Sequence, residues 1–277
     1  MVVVSADAIR QYERFSLYNS PYPAHDAGCA IDLYPGDDVA ISPVAGTVRA
    51  VRTVGCPAQP YAVSEDHLIL LDCGTYVARM LHVEPAVEAG DRVEVGDRLG
   101  TLIRSGFFGR WVDNHIHLGF RRPEQNHYRA SGSLRIEPDV SVTGLGWDGT
   151  GTVVETGKTH VQLDAPIHAD SGFGALADDD GVPIDGGLAH YSGGGVLQRA
   201  AGERLLLGTP IGTADRRNVT WADVAVYAND RRATGLSLFA AQRPFGAKLV
   251  FRAGHEFSVN DELTVRIEPT DEPVRLG

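Results

Sequence analysis

The sequence predicts an all-β protein with two β-rich parts. Its apolar residues occur in short runs, and turns carrying Gly, Asp or Asn separate these runs. In the first half, no segment shows the 3.6-residue periodicity of a convincing helix. At 277 residues the chain has room for two ordinary domains or one large β domain. We expect domains at 1–122 and 140–277, joined by a linker at 123–139.

The strands of the first half follow one another with short connections. Gly46 marks a sharp bend between two β runs, and a turn at 72–74 separates the next two. Two Gly-Asp steps, at Gly90 and Gly96, set a small chain-reversing loop. The expected strands lie within residues 39–54, 68–71, 76–82 and 99–103.

The segment 114–120 holds two histidines in a strand pattern. His115 and His117 are two residues apart, so their side chains point to the same face, while Ile116 and Leu118 face a core. Two imidazoles in one place can share a metal ion, or one can bind metal while the other handles protons. A lone His-x-His pair is weak evidence for a metal site, so the upstream residues matter.

His25 and Asp32 lie upstream, in a segment that starts a strand. Both are residue types that zinc uses as ligands. Taken alone, the pair is best interpreted as a loop histidine beside a turn aspartate.

Taken together and in order, these motifs resemble the M23 family of lysostaphin/LytM-type zinc metallopeptidases. The resemblance covers about residues 20–122. It implies a duplicated-hybrid-motif-like antiparallel β domain with an open groove. Its anchors in chain order are His25 with Asp32, Ala45-Gly46-Thr47-Val48, a strand ending at His82, residues 87–100 with their two Gly-Asp steps, and His115-Ile116-His117.

The resemblance also implies roles for five residues. Zinc would be held by His25, Asp32 and His117, and the catalytic histidines outside the ligand set would be His82 and His115. Three nitrogen and oxygen ligands leave a fourth position for water, as a catalytic zinc requires. The metal would lower the pKa of that water to about 7, and the two histidines would orient it, take its proton and stabilise the oxyanion. The implied function is an endopeptidase-like, zinc-dependent hydrolase of peptide-type amide bonds.

Three features depart from the family pattern. His25 and Asp32 are seven residues apart, whereas the family places its histidine four residues before the aspartate, so a three-residue bulge is needed here. Residues 110–114 replace the family's glycine-rich approach to His-x-His, which argues against a glycine-rich cell-wall peptide as substrate. Family members are mostly exported, and this chain shows no export signal.

Residues 140–277 predict a β sandwich or barrel. We interpret Asp178–Asp180 as a solvated loop, and the glycines at 186–195 lack the context of a phosphate loop. This half either extends the groove, binds a partner or covers an edge of the first domain. The expected strands are 152–156, 161–163, 205–207, 224–227, 236–239, 248–251 and 263–267, and the histidines interpreted as structural are His160, His168, His190 and His255.

Composition limits the classes of partner. The net charge of -11 and a pI near 5.3 argue against nucleic acid and anionic membranes as partners. The three cysteines have no Cys-x-x-Cys spacing and favour buried thiols in a reducing compartment. With no signal peptide and no apolar run of about 20 residues, we expect a cytoplasmic protein.

Two other functions compete with the hydrolase. One is a non-catalytic binding or scaffold protein on the same fold, with zinc structural or absent. The other is a phosphocarrier of the glucose-permease IIA kind, which shares the hybrid β motif and phosphorylates a histidine. The discriminating feature is geometric, because an enzyme requires four imidazoles and a carboxylate to converge in an open cleft.

Overall fold

The computed structural model describes residues 1–168, 171–243 and 245–276. The protein is all-β, as the sequence predicts, and its described residues include only two helices of four residues each. The chain divides into two compact units, one formed by Met1–Phe15 with Ala27–Val140 and the other by Ser16–Asp26 with Ser141–Gly277. In the described residues no helix has both the length and the apolar character needed to cross a membrane.

Residues 1–140 form twelve of the strands and both short helices. In chain order these are β1 (Val2–Val4), α1 (Ala6–Ile9), β2 (Arg14–Ser16), α2 (Pro23–Asp26), β3 (Ala30–Tyr34), β4 (Val39–Ile41), β5 (Gly46–Gly55), β6 (Glu65–Asp72), β7 (Val77–Leu81), β8 (Val83–Pro85), β9 (Arg92–Val93), β10 (Arg98–Leu102), β11 (Ile116–Arg121) and β12 (Ile136–Pro138).

In the first unit, six antiparallel strands lie side by side in the order β3-β11-β7-β6-β5-β9. A smaller antiparallel sheet has the order β4-β10-β8, and β1 pairs with β12 in parallel. The central strands β3, β11 and β7 bury one face of this sheet, because their alternate residues are apolar. Ile31, Ile116, Leu118 and Met80 are all 0% exposed. His117 and Asp32 therefore lie on the opposite face of β11 and β3.

Residues 141–276 form the remaining strands. In chain order these are β13 (Val142–Leu145), β14 (Thr150–Gly157), β15 (His160–Leu163), β16 (Phe173–Leu176), β17 (Ile184–Leu188), β18 (Gly193–Leu206), β19 (Thr209–Trp221), β20 (Val224–Ala228), β21 (Arg231–Ala233), β22 (Gly235–Leu238), β23 (Ala240–Ala241), β24 (Lys248–Val250) and β25 (Glu262–Pro269). Ten of them form a sheet with the order β19-β18-β17-β22-β24-β15-β14-β25-β20-β21. Its core is a continuous apolar cluster that includes Val153, Leu188, Ile211 and Leu249.

The glycines at 186–195 lie in paired strands rather than in a loop. Gly186 of β17 is opposite Gly194 of β18. A Cβ added at Gly194 would come within 2.2 Å of the Trp221 ring, and one added at Gly195 within 2.2 Å of the Tyr18 ring. The missing side chains thus make room for two aromatic rings of the same unit, which strand propensity does not reveal.

Residues 123–139 belong to the first unit, so the expected linker is wrong. Two buried arginines hold this segment through backbone carbonyls. The Nη2 group of Arg121 donates to the carbonyls of Arg129 at 3.0 Å and Ser131 at 2.8 Å, and Nε of Arg79 donates to the carbonyl of His127 at 2.6 Å. Strand β12 then completes the attachment by pairing with β1.

The expectation of a helix-free first half also needs correction. Helix α1 is a single turn whose N-cap is Ser5, with its hydroxyl accepting the Ala8 N–H at 3.3 Å. Helix α2 is equally short and carries His25. Elements of four residues are too short to produce helical periodicity in a sequence.

Asp179 and Asp180 are exposed in a turn, as a solvated loop predicts, whereas Asp178 is buried. Asp178 is 2% exposed, and its carboxylate accepts from Arg204 at 3.1 Å and from two backbone N–H groups. Asp180 pairs with Arg204 at 2.8 Å. Asp179 accepts the N–H groups of Leu207 and Gly208, so the three carboxylates secure the turn between β18 and β19.

The four histidines interpreted as structural bond to or pack against neighbouring groups of the second unit. His168 and His255 each bond to backbone carbonyls of nearby turns. His190 is 0% exposed, packs its ring 4.5 Å from that of Tyr191, and has its pKa lowered to about 3 by burial. His160 lies 3.5 Å from Glu155. The three cysteines are unpaired but half-buried, rather than fully buried as expected.

Candidate metal centre

Strands β3 and β11 place Asp32 and His117 directly opposite each other in the antiparallel ladder. Side chains opposite one another share a face and have Cβ atoms about 4.5–5.5 Å apart. Nδ1 of His117 is 2.9 Å from Oδ1 of Asp32. The burial of Ile116 and Leu118 fixes this register, because a one-residue slip would turn both apolar side chains out of the core.

His25 lies in α2 and is 1% exposed. Its Nδ1 is 2.9 Å from the carbonyl oxygen of Leu17. A carbonyl only accepts hydrogen bonds, so Nδ1 carries the proton and Nε2 keeps its lone pair. An outer hydrogen bond of this kind orients histidines that bind metal through the other nitrogen.

His25, Asp32 and His117 form a group that could hold a metal ion. One ligand atom from each lies within 4.8 Å of the others. Two ring nitrogens and a carboxylate oxygen are ligands that zinc uses. Tetrahedral zinc bonds are about 2.0–2.2 Å long, so a small inward movement of the three side chains would bring all three ligand atoms to bonding distance of one ion. The three extra residues between His25 and Asp32 are accommodated by the α2 turn and by Gly28, which has a φ of 62°.

His115 lies beside this group and is 2% exposed. Its Nε2 is 3.6 Å from Oδ2 of Asp32, and its Nδ1 donates to the carbonyl of Asp113 at 2.8 Å. The ring packs 5.0 Å from Tyr34 and 4.6 Å from Phe108. Burial lowers the pKa of His115 to about 3, although the Asp32 charge opposes this shift. The imidazole is therefore neutral at physiological pH.

His82 reaches the same place from the end of β7. Its ring centroid is 5.0 Å from that of His115 and 5.9 Å from that of His117. The residue follows Leu81, which pairs with His117, and has a φ of 71°. This left-handed backbone is uncommon outside glycine. The four expected residues of the first unit, Asp32, His82, His115 and His117, therefore lie together.

Asp66 is a further residue of this cluster that the sequence interpretation missed. It is 0% exposed, and its Oδ2 accepts from Nδ1 of His82 at 2.6 Å and from the Ser105 hydroxyl at 2.5 Å. Its Oδ1 accepts the backbone N–H groups of His82 at 2.8 Å and His67 at 2.6 Å. Burial alone would raise the pKa of Asp66, but His82, Ser105 and the His67 amide outweigh burial and lower it to about 2.

A signal for Asp66 was available in the β6–β7 hairpin. Its register pairs Leu71 with Ala78 and Ile69 with Met80. Continuing that pairing from the turn brings His67 opposite His82, with Asp66 as its neighbour. Finding Asp66 therefore requires the hairpin register, since no local motif links residues 66 and 82.

At these residues the expected open groove is largely closed to solvent. The side chains of Asp32, His82 and His115 are 4%, 5% and 3% exposed, and that of His117 reaches 15%. A cavity of about 460 Å³ is lined by residues 35–38, Arg104, Asp113 and Asn114, the last of which precedes His115 in the sequence. The described cluster is thus largely shielded from water.

Comparison with protein families assigns the whole chain to one family. Residues 3–138 match the model described as "Domain of unknown function (DUF8155) N-terminal domain", and residues 143–268 match the model of the DUF8155 C-terminal domain. The interval between the two matches contains Val140, where the structure also divides the chain. No curated protein matches the chain. The chain belongs to the DUF8155 family.

Proposed function

We propose that this member of the DUF8155 family is a zinc-dependent hydrolase of the M23 type that cleaves a peptide-type amide bond. The observation that carries the proposal is the cluster around His117. Three residues offer metal ligands within 4.8 Å of one another, and the rings of His82 and His115 lie 5.0 Å apart beside them. A metal site with two further imidazoles has the parts that a metal-assisted hydrolysis needs.

In this proposal, zinc is held by His25, Asp32 and His117, and when bound it supplies an acidic water and polarises the scissile carbonyl. His82 and His115 keep Nε2 free of a proton, because Nδ1 of each donates to an oxygen of the protein. They can therefore accept a hydrogen bond from water and orient it. Their buried surroundings exclude competing water and strengthen these interactions.

The proposed substrate class is a peptide-like amide, and the residues near the site do not specify the side chains of that substrate. The Phe108 ring lies 4.6 Å from that of His115, and the Arg104 guanidinium packs 4.7 Å from the Phe108 ring and 5.3 Å from the Tyr61 ring. Together with residues 110–114, which replace the glycine-rich approach of the family that the sequence resembles, these bulky side chains support a substrate other than a glycine-rich cell-wall peptide.

A non-catalytic zinc protein is the second candidate, and burial is the observation that favours it. Structural zinc sites are closed to solvent, whereas catalytic sites keep an open position. Three of the side chains around the site are no more than 5% exposed. Zinc content without hydrolysis would favour this alternative.

The test is elemental analysis of the purified protein together with Asp32→Ala and His117→Ala. We expect about one zinc per chain in the wild type, following from a three-ligand site, and loss of zinc in both variants. Glu84→Gln is a matched control, since Glu84 bonds to another histidine of the first unit, His67, at 3.1 Å. Absence of zinc from the wild type after zinc is supplied would overturn the proposal.

Hydrolysis is tested with a library of internally quenched peptides, which requires no knowledge of the substrate. His115→Ala should keep its zinc but lose about 10²–10⁴-fold in rate, the usual contribution of acid–base assistance. Unchanged turnover would show that His115 has no catalytic role.

A further inference from the structure

Asp66 makes four hydrogen bonds from a fully buried position, and two of them go to the same residue. Both the backbone N–H and the ring Nδ1 of His82 donate to it, at 2.8 Å and 2.6 Å. Ser105, itself 0% exposed, occupies Oδ2 together with His82. The carboxylate therefore fixes the backbone and the imidazole of His82 at once.

These contacts determine which ring nitrogen of His82 carries the proton. An ionised carboxylate only accepts hydrogen bonds, so Nδ1 must be protonated, and Nε2 of the neutral ring is then bare. The hydroxyl of Ser105 is the other donor to Oδ2. A charged hydrogen bond inside a dry site is stronger than a neutral one.

The backbone of His82 is consistent with a functional constraint. Its φ of 71° is a left-handed conformation, and such positions persist only where the surrounding structure holds them. Here the hydrogen bond from the His82 N–H to Asp66 stabilises the left-handed conformation. Because β7 ends at Leu81, the left-handed residue turns its ring towards His115 and His117 rather than continuing the strand.

His115 has a different support. Its Nδ1 donates to a neutral backbone carbonyl, that of Asp113. Of the two histidines, His82 is thus the one whose Nδ1 is held by a side chain, so that a side-chain substitution can test what fixes its tautomer.

We propose that Asp66 is a positioning residue that, with Ser105, holds His82 as the Nδ1-protonated tautomer. This inference rests on the proposed hydrolase function. With Nδ1 bonded to Asp66, Nε2 of His82 is free to accept a hydrogen bond from the attacking water.

The experiment is ¹⁵N NMR of the imidazole rings in the full chain, without metal, at about pH 8, where an ordinary imidazole is neutral. Protonated and bare ring nitrogens have well separated shifts, and His82→Gln identifies the His82 signals among the ten histidines. We expect a protonated Nδ1 and a bare Nε2 in the wild type. A protonated Nε2 would overturn the proposal without any variant.

Asp66→Asn is the decisive substitution. The amide oxygen can still accept the two backbone N–H groups, which keeps the fold, but its NH₂ group then faces Nδ1 of His82 and requires an acceptor there. We expect the His82 proton to move to Nε2 in this variant, whereas Glu84→Gln should leave the His82 spectrum unchanged. Retention of a protonated Nδ1 in Asp66→Asn would refute the positioning role.

This readout separates the inference from the proposed function. The spectrum reports on His82 whether or not the protein binds zinc or cleaves peptides. A kinetic comparison then tests the positioning role, because Asp66→Asn should reduce hydrolysis in zinc-loaded protein, whereas Glu84→Gln should not. An unchanged rate in Asp66→Asn, with zinc retained, would overturn the positioning role and leave the hydrolase proposal standing.

Discussion

Each unit of the molecule contains a fully buried aspartate that organises the chain around it. Asp66 in the first unit and Asp185 in the second are both 0% exposed. Asp185 accepts from the Ser16 hydroxyl and the Leu17 amide at 2.6 Å each, and from the Tyr18 amide at 3.2 Å. Asp66 likewise accepts a serine hydroxyl and two backbone amides. The difference is that an imidazole also donates to Asp66.

The comparison shows how one arrangement serves two purposes. A hydroxyl and backbone amides do not titrate, so their bonds to Asp185 fix the path of residues 16–18. An imidazole has two ring nitrogens that can carry the proton, so the same kind of carboxylate beside His82 also sets its tautomer. The donor set, rather than the aspartate or its burial, separates structural support from support for chemistry.

The largest expected effect separates the two aspartates by activity. Asp66→Asn should lower the rate of peptide hydrolysis by about 10²–10⁴-fold, because His82 then loses the carboxylate that holds its Nδ1 proton. Asp185→Asn should lower the rate far less, since its amide oxygen can still accept the Leu17 and Tyr18 N–H groups. Steady-state hydrolysis with zinc content measured in parallel tests this. Equal losses of rate in both variants would show that Asp66 and Asp185 do not differ in their effect on catalysis.

Stability sharpens the same comparison. Asp185→Ala should destabilise the protein by about 3–5 kcal/mol, because several buried donors lose their acceptor at about 1–3 kcal/mol each. Asp261→Ala is a matched control in the same unit, where an exposed carboxylate accepts the Ser258 N–H at 2.8 Å. We expect the control to cost about 1 kcal/mol or less. Urea unfolding measures both, and similar losses would count against a special role for Asp185.

Acid pH should give the smallest effect. The folded pKa of Asp66 is about 2, below its ordinary value of 3.8. The unfolded chain therefore binds the proton first, and the stability that Asp66 provides is complete above pH 4 and lost as the pH falls towards 2. Between pH 5 and pH 3 the wild type should lose more stability than Asp66→Asn. Equal losses in urea midpoint would show that the Asp66 carboxylate is not the responsible group.

Much of the fold was predictable because strands and turns leave local signals. Gly46 begins β5, the expected strand 68–71 lies within β6, and the expected strand 99–103 overlaps β10. Strands β17 and β18 were missed where their glycines pack under Trp221 and Tyr18. The segment 123–139 was misassigned because its attachment depends on carbonyls that bond to Arg79 and Arg121, and backbone groups have no sequence signature.

For the candidate site, the sequence by itself determined which residues could bind a metal. The i, i+2 spacing of His115 and His117 puts both imidazoles on one face through strand geometry alone. Only the tertiary structure decided that Asp32 lies opposite His117 and that Asp66 holds His82, 16 residues away along the chain. The physical reason is that pairing register is set by burial of whole strand faces, which is a property of the assembled sheet rather than of any one segment.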